Sequence, residues 1–221
     1  MLNNGLDSGW AWWLCLVLYS CGLLAALWTA PWRRLFSQRL LQHLFLGSTV
    51  ALIGFWQMRA GLSPGLSIHI LGATTMTLMF GWDLAVVAMS LALLGIILFG
   101  RQGWASLPVS GFLVVLIPVS VSYGQHLLIR KFLPKNFFIY LLGTAFLGSA
   151  LSMAAMVLGT VLLYSLADVY PMEKLSYEYL VFLPLIMMSE AMFNGILMTG
   201  LMAHFPDLIR TFGSKHYIDG H

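Results

Sequence analysis

Stretches of roughly 20 predominantly apolar residues follow one another through nearly the whole chain, and that pattern restricts the fold more than any motif does. A helical run of that length crosses a hydrocarbon layer about 30 Å thick. Seven such runs can be drawn, at about 10–30, 41–58, 67–82, 84–100, 109–129, 137–166 and 179–203. Only 9% of the 221 residues are charged and 60% are hydrophobic, with a mean hydropathy of +0.87. A soluble domain carries about 25% charged residues, so this chain lacks the polar surface to meet water on every side. The alternating apolar/polar segments of a membrane barrel are absent. The expected architecture is all-α: one polytopic membrane bundle over residues 1–204, followed by a short cytoplasmic tail at 205–221.

The loops orient the bundle. With the N-terminus outside, the inner side receives Arg33, Arg34, Arg39, Arg130, Lys131, Lys135, Arg210 and Lys215, and the outer side only Arg59, Arg101 and Lys174. Cytoplasmic loops collect Lys and Arg, so seven helices with the N-terminus outside and the C-terminus inside is the expected topology. The same rule accounts for the net charge of +3 without nucleic acid as a partner. No basic segment precedes the first apolar run, and Trp10, Trp12 and Trp13 read as an interfacial anchor on a retained helix rather than part of a cleaved signal. Cys15 and Cys21 lie inside that run, form no C-x-x-C pair, and read as small packing residues. The third and fourth runs are the least separated, with only Asp83 and its neighbours between them. The loop 60–66 (AGLSPGL) could enter the membrane without helical structure, which is tolerated only where protein or a water-filled cavity surrounds it. Asp83, beside Trp82, reads as a solvated charge at a helix end.

Missing motifs narrow the chemistry. No G-x-x-x-x-G-K-[ST] loop is present to cradle a nucleotide phosphate, and neither H-E-x-x-H nor G-x-S-x-G occurs. Six histidines are spread along the chain. His43, His126 and His204 fall toward the expected inner face and His216 and His221 in the tail, which leaves His69 in the outer half of the membrane. Imidazole is a natural ligand for nickel, cobalt, copper or zinc. A hydrogen-bonded structural role is the plainer reading of a lone histidine. In the last run Glu190, Asn194 and Met198 recur every four residues and so share a helix face. Glu190 lies near mid-span, where an ionisable side chain needs a partner or a proton. It could act as a ligand or relay; the plainer alternative is a buried acid bonded to another helix through Asn194 or a threonine. Thr144, Gly148 and Ser152 set small residues at four-residue spacing, a close-approach face inside the bundle or against a partner subunit. Met58, Met76 and Met79 could form a soft lining that suits Cu(I), though methionine is also ordinary gap-filling material.

The segment Leu66–Asp83 (LSIHILGATTMTLMFGWD) carries the pattern S-x-H-[IL]-x-G-A on Ser67, His69, Leu71, Gly72 and Ala73, after a loop containing Pro64 and Gly65. With residues 93–112 (LLGIILFGRQGWASLPVSGF), Ser189–Gly195 (SEAMFNG) and Pro206–Asp207 in the same order, the chain resembles the CbiM-type cobalt/nickel substrate-capture subunit of energy-coupling-factor ABC importers. The resemblance touches most of residues 60–210. It implies seven spans, a transition-metal ion (cobalt or nickel) as substrate, His69 as a metal ligand, and separate membrane coupling and ATPase subunits in a bacterial-type inner membrane. It implies no enzymatic activity. In that family the second residue is a histidine that binds metal together with the N-terminal amine and the span-three histidine; here position 2 is Leu2, and Asn3, Asn4 and Asp7 are the nearby polar residues. Two further readings stand beside it. One is a non-transporting structural or assembly subunit of a larger membrane complex. The other is a membrane enzyme using Glu190 as acid or base, for which no completing constellation exists.

Overall fold

A computed structural model of the chain describes residue 6 and residues 9–58, 60–61, 66–134 and 136–212. Among these, the long helices are α1 (Trp10–Thr29), α3 (Arg39–Gln57), α4 (Ala73–Leu98), α5 (Trp104–Phe132), α6 (Ile139–Leu166) and α8 (Leu183–His204). Two short helices, α2 (Trp32–Ser37) and α7 (Met172–Glu178), lead into α3 and α8. Prolines mark the starts: Pro31 and Pro171 stand at the N-caps of α2 and α7, and Pro184 lies in the first turn of α8. There the missing N–H would have no partner anyway. Pro118, by contrast, lies inside α5 and cannot donate to the carbonyl one turn earlier. The helix widens to π geometry over Gly111–Leu116, immediately before it.

α4 is the centre of the bundle. In its most apolar stretch 72% of residues are buried, against 22% in α1 and in α3. The outer helices turn large apolar side chains outward, among them Leu24, Val50 and Ile196, as helices do when lipid covers them. Trp10 and Trp13 are exposed at the start of α1, and the Trp12 indole N–H donates to Ala105 O at 2.7 Å, in keeping with an interfacial anchor. Arg33, Arg34, Arg39, Arg130, Lys131 and Arg210 gather at one end of the bundle, with the end of α1, the α5–α6 turn and the C-terminal segment. Arg101 and Lys174 lie at the opposite end. Arg59, Lys135 and Lys215 lie outside the described residues.

The third and fourth expected spans are one α4, broken at Gly81 (φ 84°, ψ 171°). The break reverses the chain. Gly72, ahead of α4, stands against Leu52, and Gly95, near its far end, stands against Ile53, whereas Phe80 packs against Phe45 nearly two turns back along α3. The first half, 73–80, therefore makes about two turns, roughly 12 Å, before turning back. The expected third span starts later than residue 67. Its first part is the non-helical segment 69–72, preceded by a two-residue antiparallel pairing of Ala60–Gly61 with Ser67–Ile68.

Breaking a helix inside the bundle leaves carbonyls without partners, and residues 205–212 supply them. Arg210 N–H donates to Met79 O at 3.0 Å and Thr211 N–H to Leu78 O at 3.2 Å. The Arg210 guanidinium reaches Phe80 O at 2.7 Å, and the Thr211 hydroxyl bonds Leu78 O at 2.8 Å. Ile209 and Phe212 are buried beside Leu78, Tyr140, Met198 and Met202. Residues 205–212 are thus part of the bundle. Only a glycine fits the turn: φ lies in the left-handed region, and a Cβ at position 81 would stand 2.6 Å from Arg210 Nη1.

The small-residue face of α6 is spent inside the chain. Thr144, Gly148 and Ser152 are all buried, a Cβ on Gly148 would meet Gln125 Oε1 at 2.6 Å, and Ser152 Oγ donates to Pro118 O at 3.1 Å. This face packs on α5 and offers nothing to a partner subunit.

Candidate functional site

The segment 69–72 enters the bundle in non-helical form, so its backbone must find partners from other elements. Glu190 and Asn194, one turn apart on α8, provide most of them. Glu190 Oε2 accepts from Leu71 N–H and Oε1 from Gly72 N–H, both at 2.8 Å. Asn194 Oδ1 accepts from Thr75 N–H at 2.9 Å and from the Thr75 hydroxyl at 2.7 Å, while its Nδ2 donates to Glu190 Oε1 at 2.8 Å. Glu190 is 1% and Asn194 0% exposed. The carboxyl group thus receives hydrogen bonds from three N–H donors at the start of the half-helix, where the helix dipole favours negative charge. Glu190 is buried and hydrogen-bonded, as in the plainer expectation, but to the main chain of the non-helical segment ahead of α4 and to Asn194 of its own helix rather than to a side chain on another helix. Its partners include two main-chain N–H groups, which side-chain spacing alone does not reveal.

Trp56 holds the same segment from α3. Its indole N–H donates to Leu71 O at 3.2 Å, and its ring meets the His69 imidazole edge to face, with centroids 5.4 Å apart. Leu71 is fully buried, and Gly72 adopts φ 65°, turning the chain from the non-helical segment into α4. His69 is half-buried on this fixed segment. Its backbone neighbours are locked by Glu190 and Trp56, so its side chain emerges from a rigid base. Thr74 Oγ1 and Ser122 Oγ share a 2.7 Å hydrogen bond that ties the following turn to α5.

The remaining candidates lie elsewhere. His43 and His204 are exposed, and His126 is buried in α5. Met76 and Met79 are in the core while Met58 is 67% exposed, so the three form no common lining. Cys15 is buried, Cys21 exposed, and both are free thiols. Asp83 is not a solvated helix-end charge: it is 8% exposed and pairs with Arg210 through both carboxylate oxygens, at 2.5 and 3.1 Å. The turn at Gly81 brings it inside, against the C-terminal segment. Among the described residues no group of three His, Cys, Asp or Glu side chains could hold a metal ion. Leu2, Asn3, Asn4 and Asp7 lie outside the described residues. Leu6 is described and is buried in the main core. Trp56 and Arg210 carry no sequence signal: an indole and an arginine become informative only when the fold places them against a broken helix.

The fold has solved counterparts. A crystal structure described as that of a truncated transition metal transporter superposes with a TM-score of 0.72, covering 88% of this chain and 94% of its own at 19% identity. A second, described as a transition metal transporter, gives a TM-score of 0.70, covering 87% of this chain and 88% of its own, again at 19% identity. No curated protein matches the chain. The family model for the cobalt uptake substrate-specific transmembrane region (CbiM) matches residues 3–208. A match over nearly the whole length places the chain in that family, as a multi-pass membrane component of a metal transporter rather than an enzyme.

Proposed function

We propose that the chain is the membrane substrate-capture subunit of an energy-coupling-factor importer for a cobalt- or nickel-like transition-metal ion. His69 is a ligand of that ion, at the end of the bundle opposite the basic residues. The observation that carries this reading is the pinned segment 69–72, where buried Glu190, Asn194 and Trp56 hold the backbone around one imidazole. Such a base fixes the direction of a ligand before metal arrives, which is what a site needs to bind a small ion tightly. In the family the N-terminal amine and a second-position histidine complete the site; here Leu2 takes the histidine's place, and Asn3, Asn4 and Asp7 are the polar residues of that segment. With no nucleotide-binding loop in the sequence, energy comes from separate ATPases through a membrane coupling subunit that docks at the basic end, in a bacterial-type inner membrane. The descriptions of the two solved counterparts agree with a transition-metal cargo.

The test is elemental analysis of the detergent-solubilised protein after equilibration with cobalt, nickel, zinc and Cu(I), wild type beside His69→Ala. Near-stoichiometric metal that disappears in a folded His69→Ala protein is the expected outcome. Metal retained by the variant would remove His69 from the site. Leu2 favours a second reading, a non-transporting assembly subunit on the same fold. Absence of metal from both proteins, with co-purification of a complex lacking ATPases, would select it.

A further inference from the structure

At the basic end, on the far side of the molecule from His69, a cavity of about 340 Å³ lies between the end of α1, the Gly81 turn, α5 and Arg210. Its wall is polar, and its charges do not cancel. Arg210 is fixed and compensated by Asp83. Arg130, one turn beyond His126 on α5, is exposed and makes no ion pair among the described residues, so the cavity carries one net positive charge. His126 is 2% exposed, and its Nδ1 has no hydrogen-bond partner among the described residues; Tyr140 packs edge-on against the ring at 5.9 Å and Tyr123 lies at 6.4 Å. A buried, unspent imidazole nitrogen is costly unless something bonds to it. The third feature is the surroundings. Leu127, in the cavity wall, is 44% exposed and its neighbour Leu128 58% exposed, so the polar cavity borders directly on the apolar belt that faces lipid.

We propose that this cavity binds the phosphate of an anionic membrane lipid, with Arg130 as its charged ligand and Tyr123 and His126 as hydrogen-bonding partners. The acyl chains run along the apolar surface at Leu127 and Leu128. An inorganic anion needs only the charge and the polar wall, whereas a lipid uses all three features; basic pockets between helices near a membrane surface recognise headgroups in this way. The proposal does not depend on His69 or on metal.

The experiment compares thermal unfolding and native mass spectra of the full-length protein with added phosphatidylglycerol, phosphatidylcholine or inorganic phosphate at constant ionic strength. Wild type is expected to retain phosphatidylglycerol and to melt higher with it than with phosphatidylcholine. Arg130→Gln, an exposed position that leaves the core untouched, should weaken that binding about fivefold. Tyr123→Phe should weaken it less. Lys131→Gln, which removes a neighbouring charge that is not in the cavity wall, should bind as wild type does. Equal stabilisation by inorganic phosphate would overturn the lipid assignment and give the site to a soluble anion. Equal losses in Arg130→Gln and Lys131→Gln would reduce the effect to general surface charge and overturn the proposal. No discrimination between the two lipids and no response to phosphate would overturn it as well.

Discussion

The two ends of the half-helix 73–80 are completed by different means. Its N-terminal side meets Glu190 and Asn194, both buried, both from one face of α8, with no charged partner among the hydrogen bonds that surround them. Its C-terminal side meets Arg210 and Thr211 from the segment that follows α8, and Arg210 brings Asp83 into a charged pair whose arginine side chain is 35% exposed. Both ends solve one problem: a helix that stops within a membrane bundle must satisfy its terminal N–H and C=O groups from elsewhere. The buried end is rigid because any loss leaves donors with neither protein nor water as acceptor. At the other end the Arg210 side chain is within reach of water, which can take over part of what it supplies. The segment bearing His69 lies next to the end that cannot relax.

Four substitutions test that difference, taken from the largest expected effect to the smallest. Glu190→Ala strands the Leu71, Gly72 and Asn194 donors together. At about 1–3 kcal/mol per unsatisfied buried group, it should lower stability by roughly 3 kcal/mol or more. Urea or thermal unfolding in detergent measures this, and wild-type stability would show that the cap is dispensable. Gly81→Ala forces a side chain into left-handed backbone and against Arg210 Nη1, a loss of about 2 kcal/mol. The same change in an Arg210→Ala background should cost less, because the clash is gone; an identical cost in both backgrounds would mean that backbone conformation alone accounts for it. Arg210→Gln should cost about 1 kcal/mol, since water can replace part of what is lost at a one-third-exposed group. Its effect should shrink as salt is raised. Glu190→Gln sharpens the comparison for function: the amide keeps one acceptor oxygen, so the protein should fold, yet its added NH2 faces the Gly72, Leu71 or Asn194 donors. Metal retention measured on the folded variant should fall severalfold, whereas Arg210→Gln should leave it unchanged. Equal losses at both ends would mean that the half-helix moves as one unit and that the rigid-base account of His69 is wrong.

Much of this architecture is legible in the amino-acid sequence. Apolar run length identifies the helices, and tryptophan and basic residues identify the ends. The four-residue spacing of Glu190 and Asn194 on one face is visible there, as is the small-residue seam of α6, although only packing decides that it faces α5. Besides the shortened third span, two sequence expectations differ from the fold, and for one reason. Asp83 reads as solvated because its local sequence sits between two apolar runs. It is buried because Gly81 turns the chain there and Arg210, 127 residues later, closes over the turn. The segment 205–212 reads as the start of a polar tail for the same reason: the carbonyls it caps belong to residues 78–80, far away in sequence.

By itself the sequence determined the solvent this protein folds in, the approximate extent of most of its helices, and the resemblance that singled out His69. Those properties are local, set by the composition of about 20 consecutive residues and by short motifs. Tertiary structure alone decided that one of the expected spans is a half-helix, which residues complete its two ends, and that Glu190 and Trp56 support His69 from different helices. A broken helix exposes main-chain groups that any donor or acceptor can satisfy. Which one does so depends on proximity in the fold, and proximity between residues as far apart in sequence as Leu71 and Glu190 is not written in either stretch alone.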